Sequence, residues 1–199
     1  DPLVANEYSV ARFEREVQLT CKLTHPNTIA LYDYGRTPDG LFYYAMEYLE
    51  GFSLDKLIKQ YGPQPEGRVI YILRQVCASL AEAHARGVVH RDIKPSNLMV
   101  ANVGGMANVA KVVDFGLVRA TEETSVESTL VTHLGGICGT PKFIAPEQAM
   151  NPSAVDRRAD IYSLGVVFYQ MLTGELPLGR FAPPSKRVTV DVRLDEVFL

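Results

Sequence analysis

Apolar and polar positions follow two different periods along this 199-residue chain, and the points where one gives way to the other mark its elements. Residues 9–23, "SVARFEREVQLTCKL", place Phe13, Val17 and Leu19 or Thr20 near one helical face with charges opposite. "HPN" at 25–27 stops that helix, because Pro26 disfavours helical geometry at His25. "TIALYDYGRT" and "LFYYAMEYL" follow, rich in β-branched and aromatic residues and separated by the turn "PDG", which predicts an antiparallel hairpin. Tyr43, Tyr44 and Tyr48 read there as strand and hinge packing. "GFSLDKLIKQYG" predicts a short helix and residues 66–86 a long one. The long helix buries a stripe of Val69, Ile72, Leu73, Val76 and Leu80 and stops at Gly87. Short strands are expected at "NLMV" and "KVVDF", linked by a loop containing "NVGG", and a mostly apolar helix from Asp160 to about Leu172. The closing "LDEVFL" reads like the first turns of an amphipathic helix with no stop signal.

Two stretches break the pattern. Residues 117–142 lack sustained periodicity and carry seven Ser and Thr residues, a length of irregular chain that in a compact domain is expected to be functional or mobile. "VVHRDIKPSNLMV" (88–100) sets His90, Arg91, Asp92, Lys94, Pro95, Ser96 and Asn97 between two apolar runs, and a core segment does not normally interrupt itself with so many groups needing partners.

Composition narrows the classes. The chain is 47 % hydrophobic and 22 % charged with a net charge of −3, values of a globular protein with ample core. There is no basic excess to point to nucleic acid. Cys21, Cys77 and Cys138 are odd in number and far apart, which suits a reducing, cytoplasmic setting better than a disulfide framework. "IYSLGVVFYQML" (161–172) is too short and too polar to span a bilayer, so no membrane contact is expected within these residues.

Three polar clusters carry the chemistry: "HRDIKPSN", "DFG" (114–116) and "GTPKFIAPE" (139–147). Asp92, Asn97 and Asp114 are the oxygen-bearing side chains of the first two. Hard cations such as Mg²⁺ want oxygen ligands and usually share them with phosphates. Asn97 and Asp114 could hold such an ion, leaving Asp92 free to orient a hydroxyl, while Lys94 could stabilise charge on a transferring group.

With these motifs in this register the sequence resembles the eukaryotic-type Ser/Thr protein kinases, over almost the whole chain. The resemblance implies an α+β, two-lobe kinase-like fold, with residues 1–48 a partial β-rich lobe and 49–199 a mostly helical one. It implies that Asp92 is the base or hydroxyl-orienting residue, Lys94 its charge partner, and Asn97 and Asp114 the Mg²⁺ (or Mn²⁺) ligands. Glu16 matches the glutamate that pairs with a phosphate-anchoring lysine. "MEYLEG" resembles the hinge, with Met46 as gatekeeper and backbone groups of Glu47 and Leu49 on the adenine edge; Met99 is also expected in the nucleotide pocket. Arg91 would pair with a phosphate on the activation segment, for which Thr132 and then Thr129 are the favoured sites, and Thr140 would belong to the platform for the substrate. Asp160 matches a buried aspartate that supports the catalytic loop, and His90 is expected to be a packed structural histidine. The motifs are similar to the bacterial branch of the family.

The implied activity is transfer of the γ-phosphate of Mg-ATP to Ser or Thr hydroxyls of proteins, including the kinase itself. The ATP site of that family also needs a Gly-rich loop and a strand lysine. Neither lies in these residues, so the sequence is expected to be a fragment cut at both ends and inactive alone. A second departure is Thr20, where the family packs an apolar side chain in a stack with Leu31, His90 and Phe115. A pseudokinase scaffold and a kinase-like enzyme acting on small molecules are the competing readings. Intact Asp92, Asn97 and Asp114 argue against the first and "GTPKFIAPEQ" against the second.

Overall fold

The computed structural model describes residues 17–38, 42–115, 142–151 and 154–198. Residues 17–20 are helical, and the chain leaves that helix through "THPN". Two strands follow, β1 (Leu31–Arg36) and β2 (Phe42–Met46), paired antiparallel with Leu31 opposite Met46 and Tyr34 opposite Tyr44. This is the hairpin that the two β-rich runs predict.

The second sheet has three strands in the order β3 (Gly51–Ser53), β4 (Leu98–Val103) and β5 (Met106–Val112), all antiparallel. Between β4 and β5 Gly104 and Gly105 both take positive φ, 56° and 79°, the backbone that a two-residue hairpin loop requires. The expected strands "NLMV" and "KVVDF" are therefore present but shifted toward that turn, with Asn97 in a 3₁₀ turn (Pro95–Asn97) and Asp114 beyond the strand end.

Two expectations change. The first residues of "GFSLDKLIKQYG" are not helical but form β3, because the β4 edge offers them hydrogen-bond partners. Helix α1 (Leu54–Tyr61) starts only after Ser53, whose hydroxyl accepts the Lys56 N–H at 3.2 Å. At the other end, "LDEVFL" contributes to a 3₁₀ helix, Val192–Val197, capped by Asp191.

Helix α2 (Glu66–Ala85) buries the predicted stripe: Val69, Ile72 and Val76 are fully buried and Leu73 and Leu80 nearly so. Helix α4 (Arg158–Thr173), which follows the short α3 (Pro146–Met150), adds Leu164, Val167, Met171 and Leu172 to the same core and ends at Gly174 in the left-handed conformation. The other side of the core comes from Leu54 and Leu57 of α1 and from Leu98, Val100, Ala110 and Val112 of the sheet.

The "HPN" segment ties the two parts together. Ile29 N–H donates to Val112 O (2.9 Å) and Val112 N–H to Asn27 O (2.8 Å), a short parallel bridge alongside β5. Thr24 and His25 N–H donate to the Glu82 carboxylate of α2, and the Thr28 and Ser79 hydroxyls meet at 2.7 Å in the core.

Backbone proximity is tightest at Gly51, where an added Cβ would sit 2.3 Å from Val100 O and 2.9 Å from the Ala101 Cβ. Around Gly165 in α4 the same atom would meet nothing within 4 Å among the described residues. Gly51→Ala should therefore destabilise by roughly 1–3 kcal/mol through forced strand separation, and Gly165→Ala should be neutral or stabilise by up to about 1 kcal/mol. Urea unfolding midpoints of the two variants would check the opposite signs.

Candidate active site

The site is built outward from one carboxylate. Asp160, in the first turn of α4, is fully buried. Its Oδ2 accepts the His90 N–H at 2.9 Å and lies 2.7 Å from His84 Nε2, and its Oδ1 accepts the Arg91 N–H at 2.7 Å. These bonds hold Arg91 at φ 66°, a left-handed conformation costly for a residue with a Cβ. From the other side Gln148 Nε2 donates to Arg91 O at 2.9 Å, so a side chain of α3 clasps the same residue.

His90 carries the constraint inward. Its ring is fully buried, Nε2 lies 2.9 Å from Val113 O, and Nδ1 accepts the Asp92 N–H at 3.3 Å. That pattern requires the neutral ring protonated on Nε2. Burial, the largest influence, pushes its pKa below the usual histidine value, against the opposing pull of Asp160. Phe115 packs against it with ring centroids 4.7 Å apart. Thr20 is buried, so the polar side chain faces inward at that helical position while Leu19 is only half-buried.

Asp92, Lys94 and Asn97 form one cluster. Asp92 Oδ2 accepts Asn97 Nδ2 at 2.9 Å and lies 2.7 Å from Lys94 Nζ. Asn97 Nδ2 also donates to Asp92 O, and Asn97 is buried. Asp92 Oδ1 takes no hydrogen bond from the described residues. Val113 N–H donates to Asn97 O at 3.0 Å, which sets Asp114 beside the Asn97 backbone. Asp114 has φ 59°, and its Oδ1 accepts the Tyr44 hydroxyl at 3.1 Å. Burial first, and then the Asp114 charge and hydrogen bond, raise the Tyr44 pKa, so the phenol remains the donor.

Of the residues expected around the nucleotide, Met46 is exposed and Leu49 and Met99 are half-buried. Glu47 donates its N–H to Ala30 O, and its side chain accepts Lys111 Nζ at 2.6 Å and the Ala30 N–H. Tyr48 does not pack as expected: it is 92 % exposed. Glu16, Thr129, Thr132 and Thr140 lie outside the described residues.

The donor chemistry suits a divalent cation held by few protein ligands. No group of three or more His, Cys, Asp or Glu side chains forms a metal cluster among the described residues. The Asn97 amide oxygen and the Asp114 carboxylate are hard oxygen donors on adjoining backbone, the set expected when phosphates complete the shell.

A family model described as "Protein kinase domain" matches residues 4–192. The chain belongs to the protein kinase family. This kinase domain is 42 % identical over 175 residues to the serine/threonine-protein kinase pkn3 of Myxococcus xanthus, covering 88 % of this chain and 32 % of that protein. It is 40 % identical over 177 residues to PknB of Mycobacterium tuberculosis (87 % and 27 %) and 38 % over 172 residues to PrkC of Bacillus subtilis (86 % and 25 %). The chain thus spans about a quarter to a third of the length of these relatives. Among solved structures, the Mycobacterium tuberculosis PknI kinase domain superposes with a TM-score of 0.67 at 26 % identity, over 94 % of this chain and 67 % of that one. Rad53 in complex with AMP-PNP gives a TM-score of 0.65 at 25 % identity, over 92 % and 41 %. The kinase-like α+β fold and the bacterial kin are as the motifs imply.

Sequence reasoning singled out Asp160 but not His84 or Gln148. Both sit where a signal existed: His84 borders the buried stripe of α2, and Gln148 follows "APE" directly. The groups they hold in the site, Asp160 and Arg91, are far away in sequence, so those pairings were not readable; the near partner of Gln148, the Ala145 N–H, only caps α3.

The neutral buried His90 gives a signed pH dependence. Below about pH 6.5 the unfolded chain takes up a proton that the folded ring refuses, so stability falls as pH drops. Between pH 7.5 and 5.5 this ring should contribute a loss of up to about 1.4 kcal/mol. His90→Phe should be less stable at both values but show a smaller gap between them, read from urea midpoints.

Proposed function

We propose that this domain transfers the γ-phosphate of Mg-ATP (Mn²⁺ serving in place of Mg²⁺) to Ser or Thr hydroxyls of proteins, itself included. The observation that carries the reading is the Asp92 carboxylate. Lys94 and Asn97 hold one of its oxygens and leave the other to accept a hydrogen bond. On this reading Asp92 Oδ1 orients the acceptor hydroxyl. Lys94 is placed to offset negative charge on the phosphoryl group in flight, which is the main demand of a loose transition state. Asn97 Oδ1 and the Asp114 carboxylate would hold the divalent ion, which when bound neutralises phosphate oxygens.

Met46, Leu49 and Met99 would line the adenine site, with the Glu47 carbonyl and Leu49 backbone on its edge, and Glu16 would anchor the phosphate-binding lysine. The lobe boundary would fall between Tyr48 and Leu49. Arg91 suits an activation-segment phosphate on Thr132 or Thr129, because its Nε is buried with no hydrogen-bond partner among the described residues. Thr140 would serve the protein-substrate platform. No helix among the described residues is long and apolar enough to cross a membrane, and the reading gives them a cytoplasmic setting.

The full-length protein given Mg-ATP should label itself, and Asp92→Asn should cut the rate by about 10²–10⁴ with the melting temperature nearly unchanged. Equal labelling of the two would remove Asp92 from its role. A wild-type protein that binds ATP without transfer would favour the scaffold reading instead.

A further inference from the structure

The bond between Tyr44 and Asp114 is not needed by any step above, yet it joins the two sheets at the metal site. Tyr44 lies on β2, two residues before Met46 and therefore on the same strand face. β2 pairs with β1 and not with the three-stranded sheet. The main chain at Asp114 is fixed from the opposite side, by the Val113–Asn97 and His90–Val113 hydrogen bonds and by the buried Phe115 ring. Those contacts place the Cα of Asp114 but not its carboxylate. Among the described residues, the hydrogen-bond donor on that carboxylate is the Tyr44 hydroxyl, 3.1 Å from Oδ1.

We propose that Tyr44 is a positioning residue for the metal ligand Asp114, its hydroxyl fixing Oδ1 so that the remaining lone pairs face a divalent cation shared with Asn97. This rests on the reading of Asp114 as a ligand. An ionised carboxylate has about four acceptor sites, and one hydroxyl occupies one of them, which leaves Oδ2 and half of Oδ1 open. The donor is neutral, so it orients the carboxylate without cancelling the charge that attracts the ion. A lysine in its place would do both. Outer-shell partners of this kind typically govern 10–100-fold in metal affinity. Because Tyr44 comes from β2, the orientation is available only while the hairpin is seated, and the Glu47–Lys111 pair at 2.6 Å seats it.

The test measures free Mn²⁺ by electron paramagnetic resonance in titrations of the full-length protein with saturating AMP-PNP. It is run at a temperature where circular dichroism shows every variant folded. Tyr44→Phe, which removes one oxygen and keeps the ring, should weaken Mn²⁺ binding about tenfold or more while metal-free AMP-PNP affinity stays put. Asp114→Asn should lose the site, and adding Tyr44→Phe to it should change nothing further. If Asp114→Asn binds Mn²⁺ like the wild type, the ligand assignment itself is wrong and the Tyr44 role goes with it. If Asp114→Asn loses the ion but Tyr44→Phe binds as tightly as wild type or tighter, the assignment stands and the positioning role is overturned. A Tyr44→Phe effect that persists undiminished in the Asp114→Asn background would also overturn it, because the tyrosine would then act elsewhere.

Discussion

Asp160 is a carboxylate with no access to water, and such a charge is tolerated only when its lone pairs are met. Three donors meet them: two consecutive backbone N–H groups, of His90 and Arg91, and the His84 ring. Bonds to an ionised acceptor are stronger than neutral ones, and two of these go to main chain, so the carboxylate fixes backbone rather than a side chain. That backbone then determines the rest. The His90 ring reaches Val113 and the Asp92 N–H from its fixed position, Asp92 meets Lys94 and Asn97, and Asn97 O holds Val113 N–H. The sequence "HRDIKPSN" and the sequence "VDF" are thereby locked to one another through a helix that contributes no chemistry of its own.

Where the chain would rather not go, it is held on both sides. Arg91 and Asp114 both take left-handed backbone without being glycine, a conformation that persists only if neighbouring contacts over-determine it. Arg91 is gripped by Asp160 on its N–H and by Gln148 on its carbonyl. Asp114 is flanked by the Val113 bonds and by buried Phe115. Both residues lie beside the proposed transfer chemistry; a third, Asn108 within β5, takes the same conformation.

How much of this could be read from the chain depended on whether a signal was local. The α2 stripe was legible because burial on one helical face leaves a 3.6-residue period, and Val69, Ile72, Leu73, Val76 and Leu80 are all inside. The β1–β2 hairpin was legible from strand composition and a turn. The extended start at Gly51–Ser53 was not, because three residues carry no period and the strand exists only against the β4 edge. The end of the chain misled for a related reason: apolar spacing in "LDEVFL" over so few residues fits an α-helix or a 3₁₀ helix, and the chain takes the tighter turn over Val192–Val197. In the site, Asp92, Asn97 and Asp114 stood out because phosphate and metal chemistry narrows the choice of residue type. His84 and Gln148 did not, since Asp160 and Arg91, the groups they hold in the site, lie 76 and 57 residues away and only the folded chain brings them together.

The arrangement of donors around Asp92 bears on what that residue can do. Both of its close partners, Lys94 Nζ and Asn97 Nδ2, converge on Oδ2 and leave Oδ1 pointing away from them. A side chain held by one oxygen has its other oxygen fixed in direction, because the carboxylate is planar and rigid. In a loose phosphoryl-transfer transition state the nucleophile needs alignment more than early removal of its proton. An acceptor held in one direction supplies alignment. On the proposed reading the lysine that does the holding is also a cation beside the transferring phosphoryl group, so one contact both aims the carboxylate and places positive charge there.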